Sequence, residues 1–253
     1  MKIKNLVSII IATYNSEKYL DTCLSSIIKQ SYTNYELIII DGGSTDATLD
    51  IISEYESHIY KWISEPDKGV YDAWNKAMFY VRGEWISFVG SDDVLYDNYL
   101  ETYINYITLN KLAEGADFIS SKIDLVDENL NFIKTVGEPW TWKLFKKSMV
   151  TWHLGSFHSR TLFESYGIFD TYFKISGDYE LLLRPKDNLR SSYINKSTAM
   201  MRNGGISSKL LIRASVETYK AKIKNGVISY IEGYSLMALD YVRLKIRHMS
   251  QTK

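Results

Sequence analysis

The chain has 253 residues, with 30 Lys and Arg balanced by 30 Asp and Glu for a formal net charge of zero. That length accommodates one large α/β domain or two small ones, and the balance excludes the global positive field of a nucleic-acid-binding protein. The single cysteine, Cys23, excludes an internal disulfide framework and fits a reducing compartment. It lies on the apolar stretch Tyr19-Leu20-Asp21-Thr22-Cys23-Leu24 and reads as core packing. No apolar run approaches the roughly 18 residues a bilayer span requires. The N-terminus enters a strand-like segment almost at once, so the expectation is a cytoplasmic protein with no signal peptide. Most of the twenty Tyr and six Trp fill a core, though their apolar faces and polar handles also suit sugar or base stacking.

In chain order, Leu6-Val7-Ser8-Ile9-Ile10-Ile11-Ala12 is a continuous, largely β-branched run, the pattern of a strand buried on both faces. Thr13-Tyr14-Asn15-Ser16 breaks it. Ser16 has the chemistry of a helix N-cap, ahead of a buried face at Leu20, Leu24, Ile27 and Ile28. Tyr35-Glu36-Leu37-Ile38-Ile39-Ile40 is a second buried strand, followed by a helix over residues 45–55. A short third strand spans 60–64, a helix 70–81 and a fourth strand 85–89. Strands alternating with helices predict right-handed βαβ units and a mostly parallel sheet. Ligands bind such sheets outside the carboxyl ends of the strands. Beyond residue 113 the pattern is less regular. Strands are expected at 116–120, 123–126 and 154–160, with a turn at Asp127-Glu128-Asn129. A helix begins near Asp178 and stops at Pro185. Residues 210–247 are helical, with Gly226 and Gly233 as candidate breaks.

The polar clusters fall at the strand ends. Ser91-Asp92-Asp93 follows the apolar run 84–90, and adjacent carboxylates repel, so they need water, donors or a cation. Hard oxygen ligands there suit Mg²⁺ or Mn²⁺ carrying a diphosphate. Asp41 precedes Gly42 and Gly43: its carboxylate can accept from a base imino group while the glycines admit a ligand to the backbone. The same segment also serves as a turn with Ser44 or Thr45 capping a helix. Lys68 beside Gly69, at a helix start, can bind phosphate, and Asn75, two turns on, can reach the crevice. A surface turn and amphipathic helix is the plainer alternative.

In order, Val7 to Asn15 with Glu17, Asp41-Gly42-Gly43-Ser44-Thr45-Asp46, Asp67-Lys68-Gly69 with Asp72 and Asn75, and Gly90-Ser91-Asp92-Asp93 resemble the N-terminal half of the family 2 glycosyltransferases, of GT-A fold. The resemblance implies an α/β, Rossmann-like, mixed and mostly parallel sheet flanked by helices. It implies a nucleoside-diphosphate sugar donor, most often UDP-linked. Thr13, Tyr14, Glu17 and Asp41 would hold the nucleoside, with Asn15, Gly42, Ser44, Lys68, Gly69, Asn75 and Ser91 completing the donor side. Asp92 would lie near ribose and diphosphate, and Asp93 would ligate Mn²⁺ or Mg²⁺. Ser91 occupies the first position of the family's usual Asp-x-Asp, leaving fewer carboxylates for the metal.

Inverting members of the family place a catalytic carboxylate in a short acidic motif at a helix start. Ser176-Gly177-Asp178-Tyr179-Glu180 fits, with Asp178 the candidate base and Glu180 directed elsewhere; the alternative is that Asp178 merely caps its helix. The Gln-x-x-Arg-Trp motif of processive synthases is absent, which points to addition of one sugar. His153 is open between an acceptor or diphosphate contact and a structural role, His158 leans structural, and His58 and His248 read as solvent-facing. Gly204 and Gly205, in Arg202-Asn203-Gly204-Gly205-Ile206-Ser207, form a candidate closing loop over the donor. The basic, partly apolar tail 243–248 fits a solvated helix end, a dimer contact or an anionic membrane surface.

The expected organisation is a glycosyltransferase domain over residues 1–208, divided into a nucleotide-sugar-binding half (1–112) and an acceptor-binding half (113–208), with a helical C-terminal extension over 209–253. The expected function is metal-dependent, inverting, hexosyltransferase-type transfer of one sugar to a hydroxyl of a saccharide or lipid-linked acceptor. Its setting would be surface-polysaccharide biosynthesis for the cell envelope, in the cytoplasm at the inner face of the plasma membrane. Homodimerisation through the C-terminal helices is part of the same expectation. The rival readings are a sugar nucleotidyltransferase, whose Gly-rich, Arg-containing first loop is missing here, and a non-catalytic nucleotide-sugar-binding module.

Overall fold

The structure, a computed structural model, describes residues 3–113, 115–205 and 210–251, with side chains described as far as residue 243. Ile206, Ser207 and the tail side chains beyond Arg243, including His248, therefore lie outside the described residues.

Strand β1 (Ile3–Thr13) sits between β2 (Tyr35–Asp41) and β4 (Gly83–Gly90), parallel to both, and β3 (Lys61–Ser64) pairs parallel to β2. The period-2 alternation of strand side chains sends Val7, Ile9 and Ile11 to one face and Ile10 to the other. Helices α1 (Leu20–Ile28) and α4 (Tyr99–Leu109) cover the first face. Helix α3 (Val70–Met78) covers the second, with Tyr71 and Trp74 packed among Ile38, Ile86 and Phe88. Both faces are dry, which is why these strands read as unbroken apolar runs. Helix α2 (Thr48–Glu54) follows β2.

The other half extends the same sheet. The strand order is β3-β2-β1-β4-β8-β6-β9-β5, where β5 is Val94–Leu95, β6 Phe118–Val126, β8 Ser156–Ser159 and β9 Ser191–Arg202. A further strand, β7 (Phe132–Val136), pairs with β6. β8 runs antiparallel to β4 and β6, whereas β6 and β9 are parallel, so the sheet is mixed and most paired residues lie in parallel ladders. The short helices α5 (Trp142–Phe145), α6 (Arg160–Tyr166) and α7 (Gly177–Leu183) pack beside this half.

Three expectations change. The strands expected at 116–120 and 123–126 are one strand, because the register shift against β9 at Ser121/Lys122 absorbs the irregularity without ending it. Ser16 does not cap α1. That helix starts at Leu20, and the Ser16 hydroxyl faces Ser91 at 2.9 Å. The C-terminal helical stretch divides into Leu211–Lys224 and Tyr230–Gln251. The break falls at Gly226, whose φ of +64° is left-handed, while Gly233 stays helical with its bare Cα against Ile223. The first of these helices packs on α7. Among the described residues, no helix is long and apolar enough to cross a membrane.

The closed end of the parallel half is fastened by Glu36, whose side chain is 2% exposed. It accepts from Ser8 Oγ at 2.6 Å, from the Arg82 backbone and Nε at 2.7 Å each, and from the Gly83 N–H at 3.3 Å. One carboxylate thus ties β1, β2 and the entry to β4. Glu36→Ala removes the acceptor and strands its buried donors, so urea denaturation should show a loss of about 3–5 kcal/mol.

Candidate active site

The strand register builds the site. Thr13 pairs with Asp41 and Ala12 with Gly90, so the loops after β1, β2 and β4 leave the sheet side by side. Asp41 is fully buried and accepts five hydrogen bonds, from the Thr13, Ser44 and Ser64 hydroxyls and the Gly43 and Ser44 N–H groups. Burial opposes its charge, but the bonds from Ser44, Ser64 and Thr13 prevail and hold it below the usual carboxylate value. Asp41 is therefore the organiser of this turn.

Several other donor-side residues are joined to each other. The Asn15 side chain accepts from the Thr45 N–H at 3.0 Å, the Asn15 N–H donates to Ser44 Oγ at 2.8 Å, and Glu17 accepts from the Ala47 N–H at 2.9 Å. They knit the loop after β1 to the loop after β2. Tyr14 stands 65% exposed beside them. A Cβ on Gly42 would lie 2.8 Å from Asp67 Oδ2 and 3.4 Å from the Tyr14 ring, so Asp67 and Tyr14 flank the bare backbone of Gly42. Lys68 is exposed at the rim, and Gly69, with φ of +111°, turns the chain into α3. Asn75 does not reach the crevice: its amide donates to the Phe169 carbonyl at 2.8 Å and accepts from the Phe169 N–H at 3.0 Å, and the side chain is buried there.

The acidic pair curls back over Gly90. A Cβ at that position would sit 2.6 Å from Asp93 Oδ2 and 3.0 Å from Asp92 Oδ1, so only glycine leaves room for both carboxylates. Asp93 is 2% exposed and accepts from the Gly90 N–H at 3.1 Å. Burial, then the neighbouring Asp93 charge, raises the pKa of Asp92. Arg202, largely buried with its guanidinium 4.2 Å from the Tyr19 ring, donates to the Asp92 carbonyl and anchors the loop. Cys23 packs beneath, its thiol 3.4 Å from the Gly90 carbonyl, and burial pushes that thiol far up.

From the other half of the sheet comes His153, with Nε2 3.8 Å from Asp93 Oδ2 and its ring 5.8 Å from Trp74. Burial lowers its pKa, but Asp93 foremost, then Asp178 and Asp92, outweigh burial and raise it. Asp178 is the second residue of α7. Its Oδ1 accepts from the Tyr71 hydroxyl at 3.0 Å and from the Tyr179 N–H at 2.8 Å. Burial raises its pKa, against the lowering effects of His153 and Tyr71. The single Tyr71 hydroxyl proton is shared between Asp178 Oδ1 and the Ile175 carbonyl, which lies at 2.8 Å, and Gly177 lies flat on the Tyr71 ring, where a Cβ would come within 2.7 Å. Glu180 points away, fully buried against Arg184 and Lys224. His158 is a core ring among Phe88, Phe118 and Phe163, its pKa lowered to about 3 by burial. Gly204, with φ of +112°, and Gly205 follow Arg202 after one residue, Asn203.

Among the described residues, no group of three or more His, Cys, Asp and Glu is arranged to hold a metal by itself. Asp93 and Asp92 form a close acidic pair over Gly90. Such a donor set fits a cation whose remaining ligands come with a diphosphate.

The family model for Glycosyl transferase family 2 matches residues 8–176. The chain belongs to that family and is a glycosyltransferase. It is 28% identical over 228 residues to a PGL/p-HBAD biosynthesis glycosyltransferase of Mycobacterium bovis, covering 88% of this chain and 87% of that protein. It is 34% identical over 125 residues to the Escherichia coli UDP-Glc:alpha-D-GlcNAc-diphosphoundecaprenol beta-1,3-glucosyltransferase WfgD, covering 49% of this chain and 48% of that protein. Among solved structures, Staphylococcus aureus TarS 1-349 in complex with UDP-GlcNAc aligns with a TM-score of 0.69 at 20% identity, over 94% of this chain and 71% of that one. The match spans 41% of the longer TarS chain. The mannosyltransferase PcManGT from Pyrobaculum calidifontis, in complex with GDP-Man and Mn2+, aligns with a TM-score of 0.63 at 17% identity, over 86% of this chain and 64% of that one. The shared architecture is the GT-A fold.

Asn75→Ala should leave both backbone groups of Phe169 without their partner and lower stability by about 1–3 kcal/mol. Nucleotide affinity, measured by calorimetry below the melting transition, should stay at the wild-type value.

Proposed function

We propose that the chain is a metal-dependent, inverting transferase that moves one sugar from a nucleoside-diphosphate sugar, UDP-linked, to an acceptor hydroxyl. The observation that carries this reading is His153 set against Asp93, Nε2 3.8 Å from Oδ2, with Asp178 near enough for its charge to act on the same ring, three side chains drawn from separate segments of the chain beside the first loops. TarS with UDP-GlcNAc and PcManGT with GDP-Man and Mn2+ support a nucleotide sugar and a divalent metal. WfgD, whose acceptor is a diphosphoundecaprenol-linked sugar, supports a lipid-linked acceptor.

In this reading Tyr14, Gly42 and Asp67 receive the nucleoside on a platform that Thr13, Asn15, Glu17, Asp41 and Ser44 hold rigid. Lys68 and Gly69 form the rim of the donor crevice, and Ser91 links the first loop to the acidic loop through Ser16. Asp93, with Asp92 beside it, holds Mn²⁺ or Mg²⁺, which when bound neutralises charge on the departing diphosphate. Asp178 Oδ1 is occupied by Tyr71 and the Tyr179 N–H, so Oδ2 takes the acceptor proton as the hydroxyl attacks the anomeric carbon. Attack opposite the leaving group inverts that centre. His153, Gly204 and Gly205 line the diphosphate and acceptor side.

Incubation with UDP-, GDP- and dTDP-sugars, with Mn²⁺ or Mg²⁺ and simple glycosides or an undecaprenyl-diphosphate-linked sugar, tests the reading. Nucleoside diphosphate release with a glycosylated product supports it. Pyrophosphate release would identify nucleotidyl transfer, and binding without turnover a sugar-nucleotide-binding module.

Two substitutions separate the roles. Asp178→Asn should lower transfer by about 10²–10⁴-fold and leave nucleotide affinity unchanged. Because burial raises the folded pKa of Asp178 against His153 and Tyr71, ionisation costs the fold stability at neutral pH, and that cost disappears below the unfolded value of about 3.9. The same variant should therefore melt at a higher temperature at pH 7, and wild-type transfer should decline as pH falls through the raised pKa. Asp93→Ala should weaken Mn²⁺-dependent nucleotide binding in calorimetry. Full wild-type turnover in the presence of chelator would remove the metal from the scheme.

A further inference from the structure

The helix Leu211–Lys224 lies outside the segment matched by the family model, yet it reaches the loop that carries the catalytic aspartate. Glu217, 5% exposed, presents Oε2 to three consecutive backbone N–H groups: Lys174 at 2.9 Å, Ile175 at 2.7 Å and Ser176 at 3.1 Å. Its other oxygen accepts from Arg213 Nε at 2.9 Å. Successive N–H groups that converge in this way form an anion-binding concavity, here occupied by a carboxylate of the same chain. Gly177 and Asp178 follow directly.

The opposite side of this loop is held by Tyr71, through the Ile175 carbonyl and Asp178 Oδ1. Ile175 is thus gripped at both ends of its backbone, its N–H by Glu217 and its carbonyl by Tyr71. The ammonium of Lys174, the first residue Glu217 grips, reaches across to the Lys68 carbonyl at 2.6 Å and joins this loop to the donor rim. We infer that Glu217 is a positioning residue for Asp178, and that the helix Leu211–Lys224 is part of the catalytic apparatus. The inference rests on Asp178 being the base. Charge-assisted hydrogen bonds are stronger than neutral ones, and a misplacement of about 1 Å at a reacting group can cost about 10²-fold in rate.

The test uses the full chain carrying Glu217→Ala or Glu217→Gln. Deuterium exchange is followed at the amides of residues 174–176, and kcat and KM are measured for UDP release from the UDP-sugar turned over fastest in the donor panel. In Glu217→Ala those amides should exchange about tenfold faster or more, since losing a bond to a charged acceptor opens them by that factor. The kcat should fall about 10–10²-fold with KM for the donor unchanged. Glu217→Gln keeps an acceptor oxygen in place and should fall between wild type and Glu217→Ala, which guards against an alanine variant that fails to fold. In an Asp178→Asn background, Glu217→Ala should cause no further loss of kcat, because its effect runs through the missing carboxylate. Unchanged amide exchange, unchanged kcat, a rise in KM alone or an equal loss in the Asp178→Asn background would each overturn the inference. Wild-type turnover by Asp178→Asn alone would instead refute the base assignment, while amide exchange would still judge whether Glu217 holds the loop.

Discussion

The in-register parallel pairing of β1 with β2 and β4 is the constraint on which the rest of the molecule depends. It brings Thr13, Asp41 and Gly90 to one edge of the sheet, so three loops must leave from a narrow strip. Loops so close together come within reach of one another's polar groups, and they pair even where solvent is open to them. Ser16 bonds to Ser91, Asn15 to Ser44 and Thr45, and Glu17 to Ala47. The interlocked surface of these loops is in this sense a consequence of strand register, and Glu36 secures that register from the far end.

Acids in this structure differ in how their charge is matched. Asp41 is surrounded by donors, Glu36 has Arg82, Asp117 has Arg190, and Glu180 has Arg184 and Lys224. For Asp41 and Glu180 the donors outweigh burial and lower the pKa. Asp92 and Asp178 behave oppositely, because burial prevails over the partners they have. Carboxylates left under-compensated in this way destabilise the fold, and they are retained where charge must be available to something that arrives from outside.

Much of the parallel half was legible in the chain, for a physical reason. A strand covered on both faces must be apolar throughout, so runs such as Val7 to Ile11 and Leu37 to Ile40 carry their own signal. The acidic loop, and Asp178 at the start of a helix, were legible as chemistry at element ends. What was not legible is non-local. Asn75 looks like a polar group aimed at a crevice until Phe169, far along the chain, takes both ends of its amide. Tyr71 reads as one more core aromatic, and only its hydroxyl, bonded across more than a hundred residues to Asp178, gives it a second role. β6 reads in the sequence as two strands, 116–120 and 123–126. In the fold Ser121 bonds to Tyr103 and Thr198, and the strand continues through it.

The two halves also differ in how they hold their reactive groups. The parallel half relies on strand register and a dense web of short-range bonds, which favours a rigid surface. In the other half, Asp178 sits on a seven-residue helix whose cap residue, Ser176, makes no side-chain capping bond. So short a helix has little cooperative stability of its own. Its geometry must come from contacts outside it: the Tyr71 ring beneath Gly177, the Tyr71 hydroxyl on Oδ1, and a carboxylate from a later helix on the preceding amides. Tyr71 belongs to α3, which also packs against the strands of the nucleotide half. The placement of Asp178 is therefore tied mechanically to the parallel half of the sheet.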